Sequence, residues 1–296
     1  MIRKKRNTVT DIYLNLAGIV FKIQGNLYDY FLYRVREYVC KKVDNPDVTI
    51  TYNESEKIKI PECKTIRTVG FRVFAETEDK YINYDILKDD TYSALMEISK
   101  DKKSVDLYLY DVEDLGGASL SIRFFNMVGE VLKYILIGYD GLCIHSSSLS
   151  LNGLGILFSA PSGTGKSTHT RLWQKVYDGV TIVNDDMPAL RNIDGVWHLC
   201  GTPWSGKTEI NKNMRVPLKA AVFLERGEKN EIDPIGIPEC VFKIAGQTTM
   251  PAYKEMTEKV MKNISSLVKT VGIYRLKCTI SEEAPVLVAT KTGIIN

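Results

Sequence analysis

Along the first hundred residues, apolar positions come in short runs broken by polar or glycine turns. Residues 12–23 mix alternation with apolar doublets around Gly18, which predicts two short strands. Tyr28, Phe31, Leu32, Val35 and Val39 fall on one stripe of a helix over 28–42, whose tyrosines belong to core and rim packing. Runs at 48–52, 68–75, 81–86 and 105–110 read as further strands of an antiparallel β-rich module with no catalytic signature. The small residues from Leu115 through Gly116 and Gly117 to Ala118 then mark a boundary, so that 1–115 reads as one domain and 116–296 as a second.

Past that boundary the periods alternate between helix and strand. Ile122, Phe125, Val128, Leu132, Ile135 and Leu136 make one helical stripe that ends near Gly138. Residues 141–150 and 154–159 predict two strands joined over Asn152 and Gly153, a strong hairpin signal. A helix from Lys166 to about Tyr177, a strand at 180–183 and a second hairpin, 187–193 with 196–200 over Asp194 and Gly195, follow. A buried strand at 220–224 and an amphipathic helix over 253–270, carried by Met256, Val260, Met261, Ile264, Leu267 and Val268, come next. Strands at 274–279 and 286–289 close an α/β chain of the α+β kind.

The densest chemistry lies between the first hairpin and the helix behind it. An apolar strand ending in Ile156, Leu157 and Phe158 enters Ser159-Ala160-Pro161-Ser162-Gly163-Thr164-Gly165, and Lys166-Ser167-Thr168 opens the helix. This is the phosphate-cradling pattern G-x-x-x-x-G-K-[ST], with Ala160 at the first glycine, where alanine fits if its φ stays negative. Backbone N–H groups from Ser162 to Lys166 can turn inward on phosphate oxygens, Lys166 adds a point charge and Ser167 offers a hydroxyl to Mg²⁺. His145 lies on the first arm of the hairpin, close to that loop. The strand at 180–183 ends in Asn184-Asp185-Asp186, a sequence that also forms plain turns. Beside a phosphate loop, the adjacent carboxylates suit a metal ligand and a base that takes a proton from an attacking hydroxyl.

Two further stretches stay open on the residues alone. Gly201-Thr202-Pro203-Trp204-Ser205-Gly206-Lys207 is either a substrate or nucleotide loop or a rigid turn capped by its tryptophan. Arg226, after the strand at 220–224, either reaches the phosphates or pairs with Glu225 or Glu228, and the ion pair is the expectation.

Composition narrows the class. Of 296 residues 44% are apolar, enough for a core in one large or two ordinary domains. With 39 basic against 36 acidic residues and a net charge of +3, the footprint of a dedicated nucleic-acid binder is missing, and the basic residues 1–6 read as a solvated tail. Six scattered cysteines, without a C-x-x-C pair or histidines at zinc-like spacing, read as free thiols in a reducing compartment. No stretch has the length of a membrane span and no signal-peptide core follows the basic start, so a cytoplasmic protein without membrane or nucleic-acid partners is expected.

With His145, the loop from Ala160 to Ser167 and the Asp185-Asp186 pair together, residues 140–225 resemble HPr kinase/phosphorylase, the bacterial serine kinase whose fold is related to phosphoenolpyruvate carboxykinase. That family places a histidine on the strand before the phosphate loop, the loop after a hairpin, and an Asp-Asp pair after the next helix. All three occur here in that order. The resemblance implies a P-loop kinase domain with a mixed sheet that uses ATP and Mg²⁺ to phosphorylate a hydroxyl, serine above all, on a small protein or peptide. It implies Lys166 on the nucleotide phosphates, Ser167 on Mg²⁺ with Asp185 supporting the metal, Asp186 as general base and His145 beside the transferred phosphate.

Three departures shape that expectation. His198 stands where the family has a metal-binding glutamate, Asp233-Pro234-Ile235-Gly236 lacks its phosphorolysis arginine, and its C-terminal loop for the protein substrate has no counterpart. These losses imply a kinase without the reverse reaction, whose substrate is not HPr, closer in character to the lasso-peptide tailoring kinases. Carboxykinase chemistry on oxaloacetate is the alternative enzyme, although the chain is short for it and lacks a clear manganese-binding lysine and histidine. A module that binds nucleotide and peptide without transfer is the non-enzymatic one. Self-association is left open.

Overall fold

The computed structural model describes residues 11–87, 91–111 and 118–295. The basic start at residues 1–6 and the boundary at Leu115, Gly116 and Gly117 lie outside the described residues. Two compact units are present, one reaching Ile135 and including Pro251–Met256, the other holding Leu136–Met250 and the chain from Thr257 on.

The first unit is built on β1 (Asp11–Leu16), β2 (Ile19–Gln24), α1 (Asp29–Val35), β3 (Val48–Glu54), β4 (Lys64–Val69), β5 (Arg72–Glu76), β6 (Lys80–Ile86), β7 (Tyr92–Ser99), β8 (Ser104–Leu109) and α2 (Leu120–Gly138), whose last turn belongs to the second unit. Its eight strands form one sheet, ordered β1-β2-β3-β8-β7-β6-β5-β4. The sheet is not wholly antiparallel, as expected from the sequence: β2–β3 and β3–β8 run parallel. The reason is the crossover through α1, which returns the chain so that β3 starts at the same end as β2. That helix is shorter than its stripe suggests, giving way to a 3-10 turn at Arg36–Tyr38. Residues 68–75, read as one strand, are the two arms of the β4–β5 hairpin, turning at Gly70 with φ 60°. Phe31 of α1 and Phe124 of α2 stack on each other at 4.8 Å, and Phe124 meets Tyr52 of β3 at 4.4 Å. The phenol oxygens of Tyr28 and Tyr52 lie 2.7 Å apart, and of the helix tyrosines Tyr28 and Tyr38 pack the core while Tyr33 is exposed, the mix of core and rim expected.

The second unit contains β9 (Gly141–Cys143), β10 (Ser146–Leu151), β11 (Leu154–Ser159), α3 (Lys166–Val176), β12 (Thr181–Asn184), β13 (Ala189–Ile193), β14 (Val196–Cys200), β15 (Arg215–Arg226), β16 (Glu231–Pro234), α4 (Ile237–Ala245), α5 (Lys254–Thr270), which begins in the first unit, β17 (Gly272–Cys278) and α6 (Glu283–Thr292). Nine strands make a mixed sheet, so the chain is of the α+β class. β15 is its spine. Its first residues pair antiparallel with β14, and the rest lies parallel between β11 and β17. Both faces of β15 are covered, which is why Ala220–Leu224 reads as an unbroken apolar run. Ala221 and Phe223 join Cys240 and Ile244 of α4 and Val260, Ile264 and Leu267 of α5 in one core. Val222 and Leu224 join Phe158, Trp173 of α3 and Val288 and Ala289 of α6 in the other.

Two expectations are corrected in this unit. Residues 286–289 are not a strand but part of α6, whose buried Ala284, Val288 and Thr292 recur every fourth residue. Glu283 and Pro285 in its first turn and Gly293 at φ 63° behind it are helix start and stop signals that outweigh the β-branched valines. Residues 141–150 are two strands rather than one: β9 pairs with β13, and β10 pairs with β11 and β12. Among the described residues no helix is long and apolar enough to cross a membrane, and none of the six cysteines forms a disulfide.

Trp173 is fully buried and packs on Phe158 at 5.8 Å and Tyr177 at 5.6 Å. Trp173→Ala should therefore cost about 3–5 kcal/mol, read as a lower midpoint in guanidinium unfolding. A midpoint within error of wild type would mean that this core is not packed as described.

Candidate functional site

The site starts where β11 ends. Ala160 is buried and its φ lies outside the left-handed region, so the alanine stands in for glycine without strain. The turn behind it needs glycine twice, at Gly163 with φ 77° and Gly165 with φ 114°, and a Cβ at either would meet nothing within 4 Å. Ser162 and Gly163 are exposed at the tip, Thr164 and Gly165 are half-buried, and the Thr164 N–H reaches the Pro161 carbonyl at 3.3 Å. Gly165 is the N-cap of α3 and brings no capping side chain, so the first N–H groups of the helix are left for a ligand.

Lys166, the first residue of α3, is 8% exposed. Its ammonium donates to the Ala160 carbonyl at 2.9 Å and lies 3.0 Å from His145 Nε2. The other ring nitrogen, Nδ1, is 3.0 Å from Asp186 Oδ1. An ammonium only donates, so Nε2 accepts and Nδ1–H donates to the carboxylate, which fixes the tautomer. Burial pushes the Lys166 ammonium below its ordinary range, while Asp186 and then Asp185 pull it back up. Lysine, imidazole and carboxylate thus stand in one row, with His145 and Asp186 partly open to solvent.

Each member of the row is held by backbone. His145 is not on an arm of the hairpin, as expected from the sequence, but in the bend between β9 and β10. There its N–H donates to the Gln247 carbonyl at 2.8 Å and its carbonyl accepts the Ser159 hydroxyl at 2.9 Å. The cause is the switch of sheet partner between β9 and β10, which interrupts the strand at this residue. Asp185 and Asp186 follow β12 in a turn organised by Asn184, whose Oδ1 accepts the N–H groups of Asp186 at 2.8 Å and Met187 at 2.7 Å. The Asn184 amide donates in turn to the carbonyls of Thr202 at 2.8 Å and Trp204 at 3.2 Å. The stretch 201–207 is therefore a brace. Trp204 is buried rather than presented for stacking, and Gly206 runs so close that a Cβ there would lie 3.1 Å from the Asp186 Cγ.

Asp185 takes a different place. It is buried and accepts the Ser147 hydroxyl at 2.6 Å, and that hydroxyl also lies 3.0 Å from Thr170 Oγ1 on α3. A buried carboxylate with a single short hydroxyl bond keeps lone pairs for a cation. Ser167 is half-buried one residue past the lysine, and Thr168 is exposed on the next. Together Asp185 and Ser167 have the oxygen chemistry that suits Mg²⁺. Among the described residues no group of three or more His, Cys, Asp or Glu side chains is placed to hold a metal ion. His198 sits on β14 opposite Arg191 and Pro217, with its Nδ1 on the Val196 carbonyl at 2.9 Å.

Four residues at the site were not singled out from the sequence: Ser147, Thr170, Asn184 and His169. Asn184 had a signal, being the asparagine that opens an Asn-Asp-Asp turn. The serines of β10 gave none, since a serine-rich strand reads as an edge and this one is buried. His169 lies against Phe158 at 4.6 Å between ring centroids and accepts the Trp173 indole N–H at 3.2 Å.

An α+β protein with a strand, a glycine loop and a lysine-led helix, facing a histidine and two aspartates, is what fold and site define. A family model described as "SynChlorMet cassette protein ScmC" matches residues 118–283, more than half of the chain, and the chain belongs to that family. Among solved structures, the Hpr(Ser) kinase/phosphatase from Coxiella burnetii is similar over 50% of this chain and 91% of that one, at 12% identity and a TM-score of 0.29. A likeness at that level transfers no residue role. No curated protein matches the chain.

Burial holds His169 at a pKa of about 4, below its ordinary 6.5. The folded protein thus stays neutral there while the unfolded chain takes up a proton, so the stability tied to this group is complete above pH 6.5 and is lost as the pH falls towards 4. Urea unfolding at pH 7 and pH 4 should differ by up to about 3 kcal/mol from this residue, and His169→Gln should flatten that part of the profile. An unchanged slope in the variant would place the acid sensitivity elsewhere.

Proposed function

We propose that the protein phosphorylates a hydroxyl group, serine above all, on a small protein or peptide, using ATP and Mg²⁺. The observation that carries this reading is the row Lys166–His145–Asp186, closed at 3.0 Å on both sides of the imidazole and standing on the glycine loop. An isolated cation beside a glycine loop would suit any anion. The carboxylate at the far end of the row adds a proton acceptor within two contacts of the phosphate-binding lysine, which is what transfer to a hydroxyl requires.

The residues divide the work as follows. The loop N–H groups and Lys166 hold the phosphates, with Ser167 and Asp185 as oxygen donors to the metal. When bound, ATP would supply the transferable phosphoryl group and Mg²⁺ would offset the charge on the phosphate oxygens. Asp186 Oδ1 is occupied by the His145 N–H, which leaves Oδ2 to accept the proton of the incoming hydroxyl. Gly206, having no side chain, leaves room beside that oxygen. His145 fixes the rotamer of the carboxylate and links its charge to that of Lys166.

Asp186→Asn keeps the shape of the row and removes the proton acceptor. Transfer of γ-phosphate from ATP to a serine-containing peptide should fall by roughly 10²–10⁴-fold, with ATP affinity within a few-fold of wild type. Full activity in the variant would remove Asp186 as base. ATP bound by the wild type without transfer to any such peptide would leave a binding module instead of a kinase.

A further inference from the structure

The sequence expectation for Arg226 was an ion pair with Glu225 or Glu228, and the structure shows otherwise. Glu225 is taken by Lys243 of α4 at 3.1 Å and Arg275 of β17 at 3.2 Å. Successive residues of a strand point to opposite faces, so Glu225 turns towards α4 while Arg226 turns towards the face of α3. There the Arg226 guanidinium donates to the Gly163 carbonyl in the glycine loop at 3.1 Å. Among the described residues no carboxylate lies within ion-pair distance of it, and the side chain is exposed.

The placement follows from the sheet. β11 and β15 are parallel neighbours with Ser159 opposite Phe223, so the glycine loop that follows β11 and Arg226, the last residue of β15, emerge at one edge. Between them and the end of β17 lies a cavity of about 400 Å³, lined by Gly163, Gly165, His169, Leu224, Arg226 and Ile280 among others. Glu225 also borders it, but its charge is spent on Lys243 and Arg275. The cavity therefore has one uncompensated charge, a guanidinium, at the mouth of a loop built for phosphate. A carbonyl accepts from that group without neutralising its charge, whereas a phosphate oxygen brings the opposite charge and a geometry that suits the guanidinium fork.

Building on the nucleotide reading above, we infer that Arg226 is a second phosphate-binding cation: when a nucleoside triphosphate occupies the glycine loop, its guanidinium exchanges the Gly163 carbonyl for a phosphate oxygen. Lys166 grips the tail from the start of α3 and Arg226 from the end of β15. The inference accounts for an arginine that keeps its charge bare beside a carboxylate it does not pair with.

Calorimetric titration of the full chain with ATP and Mg²⁺ at low and high ionic strength tests it, on wild type, Arg226→Gln and Arg226→Lys. Glutamine retains an N–H for the Gly163 carbonyl but no charge. At low salt Arg226→Gln should bind roughly tenfold more weakly, the gap should narrow at high salt, and Arg226→Lys should recover part of the loss. Unchanged affinity in Arg226→Gln, or a loss that neither salt nor lysine alters, overturns the inference and leaves Arg226 a brace of the loop. Wild type that binds no ATP overturns the nucleotide reading itself and this inference with it.

Discussion

An ammonium group taken out of water has to be answered, and the answer given to Lys166 organises the second unit. Its charge meets a loop carbonyl, an imidazole and, through the imidazole, a carboxylate. Burial lowers the affinity of the lysine for its proton, and Asp186 and then Asp185 act against that shift. For those partners to converge, three separate stretches must end at the same point: the bend before β10, the loop after β11 and the turn after β12. The Ser159 hydroxyl on the His145 carbonyl ties the first to the second. The Asp186 carbonyl, accepting the Ser146 N–H at 2.9 Å, ties the first to the third. Neither tie involves a charged side chain, so the charged groups stay available for a ligand.

The same economy is visible in how the aspartates are separated. Neighbours in sequence, they leave the Asn184 turn in different directions. Asp185 goes inward, to a hydroxyl of β10 that also touches α3, and Asp186 goes to the histidine at the open side. Two adjacent carboxylates with identical surroundings would repel each other and compete for one cation. Different first partners give them different surroundings, one buried against a hydroxyl and the other beside an imidazole at the open side.

The elements that were legible in the sequence are those whose residues answer to local rules. The glycine loop, the two Asn-Gly and Asp-Gly hairpins and the long stripes of α2 and α5 all declare themselves within twenty residues, because turn chemistry and helical period act at that range. Elements fixed by distant partners did not. His145 reads as near the loop but on a hairpin arm, since nothing near it in sequence tells that β9 and β10 have different neighbours. The stretch at 286–289 carries valines that favour a strand, and only its flanking proline and glycine contradict them. Residues 92–99 and 237–245 gave no usable period, the first because β7 is buried on both faces, the second because α4 leaves Ile237 and Phe242 exposed. At the site, Lys166, Asp185 and Asp186 could be named from their motifs, while Ser147 and Thr170 became visible only once β10 and α3 lay side by side.

β15 works as a sorting device. Its alternation sends Glu225 and Arg226, two opposite charges joined by one peptide bond, into different neighbourhoods, one towards basic side chains and the other towards a carbonyl on the glycine turn. The sign of the electric field at the cavity thus hangs on parity: lengthen or shorten the strand by a single residue upstream of this pair, and an acid would face the loop where a base now stands.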